Sequence, residues 1–168
     1  MTGWHSLKRV SDAVDQVVVV VCVALVVVML SMSSTGIFYQ FILDDPLTWS
    51  YSLTRLFLPW LALLSVTVAY KRGEHVAISF LVRRIPRRAL RVIKVFNLFV
   101  VGLFGLALLW YGIDFFLDSN QLFMVSDQLQ VSHKWTAISV PITGAIMCVH
   151  LLSGTALVEI HEVIDEVD

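Results

Sequence analysis

Charge is absent from long stretches of this sequence. No residue from Gln16 to Leu43, from Val95 to Ile113 or from Trp135 to Val158 is acidic or basic, and Arg55 is the single charged residue between Pro46 and Tyr70. A hydrocarbon core about 30 Å thick takes roughly 20 helical residues to cross, so each stretch can span a bilayer. A soluble fold is also excluded, because a chain of 168 residues of which 58% are hydrophobic could not bury so much apolar surface in its core.

Cysteine and catalytic patterns are scarce as well. Cys22 and Cys148 both lie inside charge-free stretches, so we expect two small apolar residues and no disulfide. A membrane b-type haem needs two histidines at matching depth, and His150 alone lies deep in a span, where we interpret it as a helix-packing hydrogen-bonder. The sequence has no phosphate-binding glycine loop, no Cys/His set with metal-ligand spacing and no acid at the centre of a span. The sequence therefore predicts neither an enzyme nor a cofactor. By itself, the chain would also make a poor solute pathway.

The four stretches predict an all-α integral membrane protein. We expect one membrane domain, residues 1–168, with spans at about 16–43, 49–70, 92–117 and 135–158. An even number of spans places both termini on one side. Of the twelve Lys and Arg residues, all except Arg55 and Lys134 then lie on that side, which the positive-inside rule makes cytoplasmic.

A short amphipathic helix is predicted between the second and third spans, at about 75–85. Its apolar positions recur with helical spacing, and its polar face is basic. At about ten residues this segment is too short to span, but it suits a helix lying in the interface against anionic lipid. The predicted lipid-anchoring residues are Arg83, Arg84, Arg87, Arg88 and Arg91. The alternative is that these arginines are an ordinary topology signal with no further role.

Two polar features inside the spans each leave two interpretations open. The small residues from Ser31 to Gly36 either admit a neighbouring helix or bond back to their own helix. Arg55 either snorkels to the headgroups or pairs with an acid. No acid lies three or four positions away from Arg55 on its own helix, so a pairing acid on another chain is a real alternative.

A series of short motifs, in order, resembles the small membrane subunit (Q-type, DctQ-like) of tripartite ATP-independent periplasmic (TRAP) transporters. The resemblance runs from about Trp49 to Gly144. Its motifs are Trp49-Ser-Tyr-Ser-Leu-Thr-Arg55, Trp60, Tyr70-Lys-Arg-Gly-Glu-His75-Val, Ile85-Pro86-Arg87-Arg88, Trp135 and Val140-Pro141-Ile142-x-Gly144. In one departure, Tyr51 and Ser52 occupy places where the family carries a glutamate or two before the arginine.

The resemblance implies a non-catalytic scaffold subunit in the bacterial inner membrane. It implies a large membrane transport subunit as partner, in a one-to-one complex, and indirectly a periplasmic substrate-binding protein. The whole system would import organic acids, such as dicarboxylates or sialic acids, with sodium. Membrane lipids are the other expected partner, and nucleic acid is not one.

Within this hypothesis, the partner contacts are predicted at Trp49, Arg55 and Trp60, in the outer half of the second span. Two alternatives belong to other classes of protein. One is a membrane anchor of a redox complex, with His150 at a haem or quinone site. The other is a free-standing homo-oligomer that packs through its Ser and Gly faces.

Overall fold

The computed structural model describes residues 2–44, 47–72, 86–126 and 129–153. The helices of this part are α1 (Thr2–Ile42), α2 (Thr48–Lys71), α3 (Arg87–Asp118), α4 (Lys134–Ala137) and α5 (Ser139–Ser153). The valine run is helical although β-branched residues favour strands in water, because a helix pairs all its backbone groups within the segment. Since Ile138 alone separates α4 from α5, the two form one nearly continuous segment.

Four stretches of the described helices are long and apolar enough to cross a membrane. They are Leu7–Ile42, Trp49–Lys71, Val95–Asp118 and Lys134–Ser153. The structure therefore confirms the prediction of four apolar helices. Helix α1 begins at Thr2, well before the boundary expected near residue 16, so charged residues that end the apolar run do not end the helix.

The main contacts between the long helices link them in the order α1, α2, α5, α3, which we call the row, and α1 also contacts α5 directly. Helix α2 is antiparallel to α1 and α3 is antiparallel to α5, whereas the central helices α2 and α5 run in the same direction. Only 6% of the most apolar stretch of α1 and 11% of that of α3 are buried, against 39% in the last span. The outer helices thus leave most of their apolar surface to be covered by lipid or by another protein.

Glycines allow a close backbone contact between α3 and α5. A Cβ atom at Gly144 would lie 2.6 Å from the amide nitrogen of Leu109 and 2.9 Å from the carbonyl oxygen of Gly105. One at Gly112 would lie 2.8 Å from the nitrogen of Pro141. The two backbones touch, which is the packing that small residues permit inside a membrane.

Both interpretations of the small-residue segment in α1 hold, at different residues. Ser31 Oγ donates to the carbonyl oxygen of Val27 at 2.8 Å, and Thr35 Oγ1 donates to that of Ser31 at 2.8 Å, so these hydroxyls bond back to their own helix. Gly36, in contrast, faces Ser50 of α2 so closely that an added Cβ would collide with its side chain. Close approach depends here on the glycine rather than on the hydroxyls.

A β-hairpin lies between α3 and α4, where we expected only a loop. Strands β1 (Leu122–Met124) and β2 (Gln130–Ser132) pair antiparallel, with Phe123 opposite Val131. Three-residue strands are too short for a two-residue alternation to stand out in a sequence. The all-α description is therefore corrected by this one small element.

Three predictions fall wholly or partly on residues outside this description. The interfacial helix at about 75–85 lies outside it, as do the last residues of the span expected to end at 158. Arg83 and Arg84 are outside it too. Arg87, Arg88 and Arg91 are on the first turns of α3, but their side chains are not in the described part.

Candidate partner interface

The bundle has two distinct ends, which we call outer and inner. At the outer end α1 stops, α2 begins, and the hairpin joins α3 to α4. At the inner end the first turns of α1 meet the last turns of α2 and α5. The three residues predicted as partner contacts lie on α2 between its outer end and its middle.

Trp60 is engaged within this chain. Its indole Nε1–H donates to the carbonyl oxygen of Trp135 at 2.9 Å, and the two ring centroids are 5.8 Å apart with planes at 44°. A buried or interfacial indole needs a partner for its N–H, and here α4 supplies it. The sequence marks both tryptophans but gives no sign that they pair.

Arg55 finds an aromatic ring rather than an acid. Its side chain is exposed, and its guanidinium carbon lies 5.9 Å from the centroid of the Phe123 ring on β1. Such a cation–π contact is worth about 0.5–1 kcal/mol at an exposed position. The ion pairs formed between described residues do not include Arg55. A pairing acid on a partner chain therefore stays a prediction.

Trp49 lies on the first turn of α2 with 37% of its surface exposed. Close to it in sequence, Tyr51 is 74% exposed. Tyrosine and tryptophan at a helix end suit the boundary between hydrocarbon and headgroups. The structure leaves Trp49 free for a contact outside the chain, and which contact it makes is part of the proposal below.

A buried polar cluster at the inner end was missed by the sequence reasoning, apart from His150. Nδ1 of His150 lies 2.8 Å from Oγ of Ser11, and Oγ of Ser153 lies 3.1 Å from the same Ser11 oxygen. Ser153 Oγ also lies 2.7 Å from the carbonyl oxygen of His150. All three residues are almost completely buried. The interpretation of His150 as a helix-packing hydrogen-bonder is thus confirmed.

Charged residues join the same end of the bundle. Lys71 Nζ donates to the carbonyl oxygen of Ser11 at 2.7 Å and lies 2.9 Å from Oδ1 of Asp12. Arg72 Nη2 lies 3.4 Å from Oδ2 of Asp15. The Lys71 side chain is only 9% exposed, so its ammonium depends on these partners, whereas that of Arg72 is 46% exposed. These contacts explain why α1 continues as a helix through its charged first turns.

No three His, Cys, Asp or Glu side chains among the described residues are placed to bind a metal ion. The described cysteines, Cys22 and Cys148, are both unpaired.

The decisive comparison is with a protein family. The family model for the DctQ component of tripartite ATP-independent periplasmic transporters matches residues 29–159. This chain belongs to that family. The match covers the outer part of α1, all of α2, the hairpin and His150, but not Ser11, Asp12 or Asp15. The predicted resemblance is confirmed, and the chain is a membrane protein of a transporter family.

Two relatives of this DctQ-family chain carry more specific names. It is 27% identical over 142 residues to the sialic acid TRAP transporter small permease protein SiaQ of Vibrio cholerae, covering 84% of this chain and 80% of that protein. It is 24% identical over 116 residues to the sialic acid TRAP transporter permease protein SiaT of Haemophilus influenzae. That second match covers 69% of this chain but only 18% of SiaT. Family membership favours the transporter hypothesis over the redox-anchor and homo-oligomer alternatives.

Proposed function

We propose that this chain is a non-catalytic scaffold subunit that binds the large transport subunit of a sodium-coupled secondary importer of organic acids. The observation that carries the proposal is the match to SiaT, in which a segment similar to this chain makes up 18% of a much longer permease. A single chain that contains such a segment keeps it beside the rest of the permease. By analogy, we expect this separate chain to bind its large subunit one-to-one, and a periplasmic substrate-binding protein to act with the complex.

The shape of the described bundle supports a role in support rather than in conduction. Four spans without inverted-repeat symmetry make a poor solute pathway. The middle of each described span also lacks the acidic residues that mark many ion and solute pathways. The row leaves broad apolar surfaces on α1 and α3, which are available to a larger membrane protein and to lipid.

For the orientation, we propose the bacterial inner membrane with both termini cytoplasmic. Contacts of Ser11 with His150 and Ser153 bring the start of α1 and the end of α5 to the same end of the bundle. Lys71 and Arg72 lie at that end as well. The excess of basic residues expected there supports a cytoplasmic assignment for the inner end.

The proposed contacts with the large subunit are Trp49, Arg55 and Trp60. Trp49 and Arg55 have exposed surface for such a contact, while Trp60 would act by holding α4 against α2. The proposed lipid anchors are Arg83, Arg84, Arg87, Arg88 and Arg91, each worth about 1 kcal/mol beside anionic lipid.

The test is uptake into liposomes that contain the large subunit with and without this chain. The substrate-binding protein is supplied outside, and sialic acid and a C4-dicarboxylate are compared under sodium and potassium gradients. We expect uptake of one organic acid that needs both membrane chains and a sodium gradient. Full-rate uptake by the large subunit alone would contradict the scaffold role, and equal uptake in potassium would contradict sodium coupling.

A further inference from the structure

The hairpin between α3 and α4 has one exposed face turned away from the protein, on which Leu122 and Met124 lie opposite Ser132 and Gln130. Leu122 and Met124 on β1 are 62% and 70% exposed, and Leu129, just before β2, is 50% exposed. The opposite face carries Phe123, and Val125 at the end of β1 is only 2% exposed. The hairpin is therefore packed down onto the bundle, and it presents large apolar side chains on its free side.

Contacts with α2 fix the depth of the hairpin. Arg55 follows the start of α2 at Thr48 by about two helical turns, or roughly 10 Å along the axis. The Phe123 ring lies within cation–π distance of the Arg55 guanidinium. This contact ties the hairpin to the outer part of α2, and the hairpin also follows the end of α3 at Asp118 and precedes the start of α4 at Lys134. The hairpin thus sits at the depth where the spans begin and end.

Large apolar and aromatic side chains are exposed at this level. The described residues 119–126 and 129–133 contain no Asp, Glu, Lys or Arg. Around the same end of the bundle, four Trp and Tyr side chains are more than half exposed, namely Tyr51, Trp110, Tyr111 and Trp135. Exposed Trp and Tyr at one level mark the boundary between hydrocarbon and headgroups. Asp127, between the two strands in the sequence, is the one acidic or basic residue from 119 to 133. A hairpin segment with one charge and three exposed large apolar residues fits that boundary better than open water.

We propose that the β1–β2 hairpin is an interfacial membrane element whose Leu122, Met124 and Leu129 side chains insert into the lipid leaflet at the outer end of the bundle. The occupant of this face is the lipid surface, at the headgroup and upper acyl level. Arg55 holds the hairpin at that depth through Phe123. The inference needs only that the chain is inserted in a membrane, so it does not depend on the large subunit.

The experiment places a nitroxide spin label on the exposed face. The full-length chain carries Met124→Cys in a Cys22→Ala, Cys148→Ala background, in vesicles of phosphatidylethanolamine and phosphatidylglycerol. Collision with oxygen, which concentrates in lipid, is compared with collision with a water-soluble nickel chelate. Leu103→Cys, on the exposed face in the middle of α3, is the lipid reference, and the unattached label in buffer is the water reference.

We expect an oxygen-to-nickel accessibility ratio between the two references and at least about twofold above that in water, as for side chains that enter the headgroup and acyl boundary. Gln130→Cys, opposite Met124 in the hairpin register, should report a similar level. A ratio equal to the water reference would overturn the proposal. Shielding of the label from both reagents would overturn it as well, because a protein surface would then cover the face.

Discussion

Oγ of Ser11 lies 2.8 Å from Nδ1 of His150, so a buried hydrogen bond joins the first turns of α1 to the end of α5. The bond spans nearly the whole chain and closes the inner end of the bundle. Both side chains are fully buried, so water cannot replace this hydrogen bond if either side chain is removed.

We therefore expect Ser11→Ala to destabilise the chain by about 1–3 kcal/mol, the range for leaving a buried polar group unpaired. The measurement is the loss of monodisperse protein after heating in detergent. Ser31→Ala is the matched control, because Ser31 Oγ bonds to its own helix on an exposed face. Equal losses in the two variants would show that the buried hydrogen bond of Ser11 stabilises the chain no more than the exposed one of Ser31.

Gly144 allows a second test, of the contact between α3 and α5. Gly144→Ala places a methyl group against backbone atoms of Leu109 and Gly105, which cannot move separately from their helix. We expect a destabilisation of about 1–3 kcal/mol from overpacking, read from the same heating assay.

Gly102→Ala is the control for that test. Its methyl group would meet only the flexible end of the Leu151 side chain, at 3.2 Å, so the neighbour can give way. We expect it to behave nearly as the unchanged chain. If Gly144→Ala is as stable as Gly102→Ala, the backbones are not in the contact described.

Arg55 makes the third prediction. We expect Arg55→Ala to lower uptake mainly by weakening assembly with the large subunit, measured as the yield of complex in a pull-down through this chain. Phe123→Leu separates two routes to that effect. If Arg55 acts by holding the hairpin, Phe123→Leu should lower the yield similarly, whereas a pairing with a partner's acid predicts loss for Arg55→Ala alone. Normal yield and normal uptake in Arg55→Ala would refute both.

The two basic residues at the end of α2 should differ in importance. Lys71 is nearly buried and has both the Ser11 carbonyl oxygen and Asp12 as partners, while Arg72 is about half exposed. An exposed ion pair contributes about 0–1 kcal/mol, so Arg72→Ala should change thermal stability little. Lys71→Ala should cost clearly more, since it also removes the tie to the Ser11 carbonyl. The reverse order of melting temperatures would be inconsistent with these contacts.

Much of the fold follows from charge-free length alone, because a membrane-crossing helix needs about 20 apolar residues whatever their order. The true start of α1 does not follow from it. Lys8, Arg9, Asp12 and Asp15 end the apolar run, and the helix persists through them because Asp12 and Asp15 meet Lys71 and Arg72. Such tertiary partners leave no local pattern in a sequence.

The candidate interface was predictable in its residue types but not in its pairings. Trp60 and Arg55 stand out as an indole and a charge within a span. That their partners are the carbonyl oxygen of Trp135 and the ring of Phe123 depends on where the hairpin and α4 pack. The hairpin itself is too short to predict from alternation, so the partner of Arg55 could not be predicted either.

The hydrogen bond from Trp60 to Trp135 and the hydrogen bond from Ser11 to His150 together restrict how the helices can tilt. Both connect the α1–α2 pair to the α4–α5 segment, and Trp135 and His150 are about 22 Å apart at 1.5 Å per residue. A single attachment would leave a pivot about which one helix pair could tilt against the other. Two attachments at different depths oppose that tilt, so they hold the α1–α2 pair and the α4–α5 segment in one relative orientation.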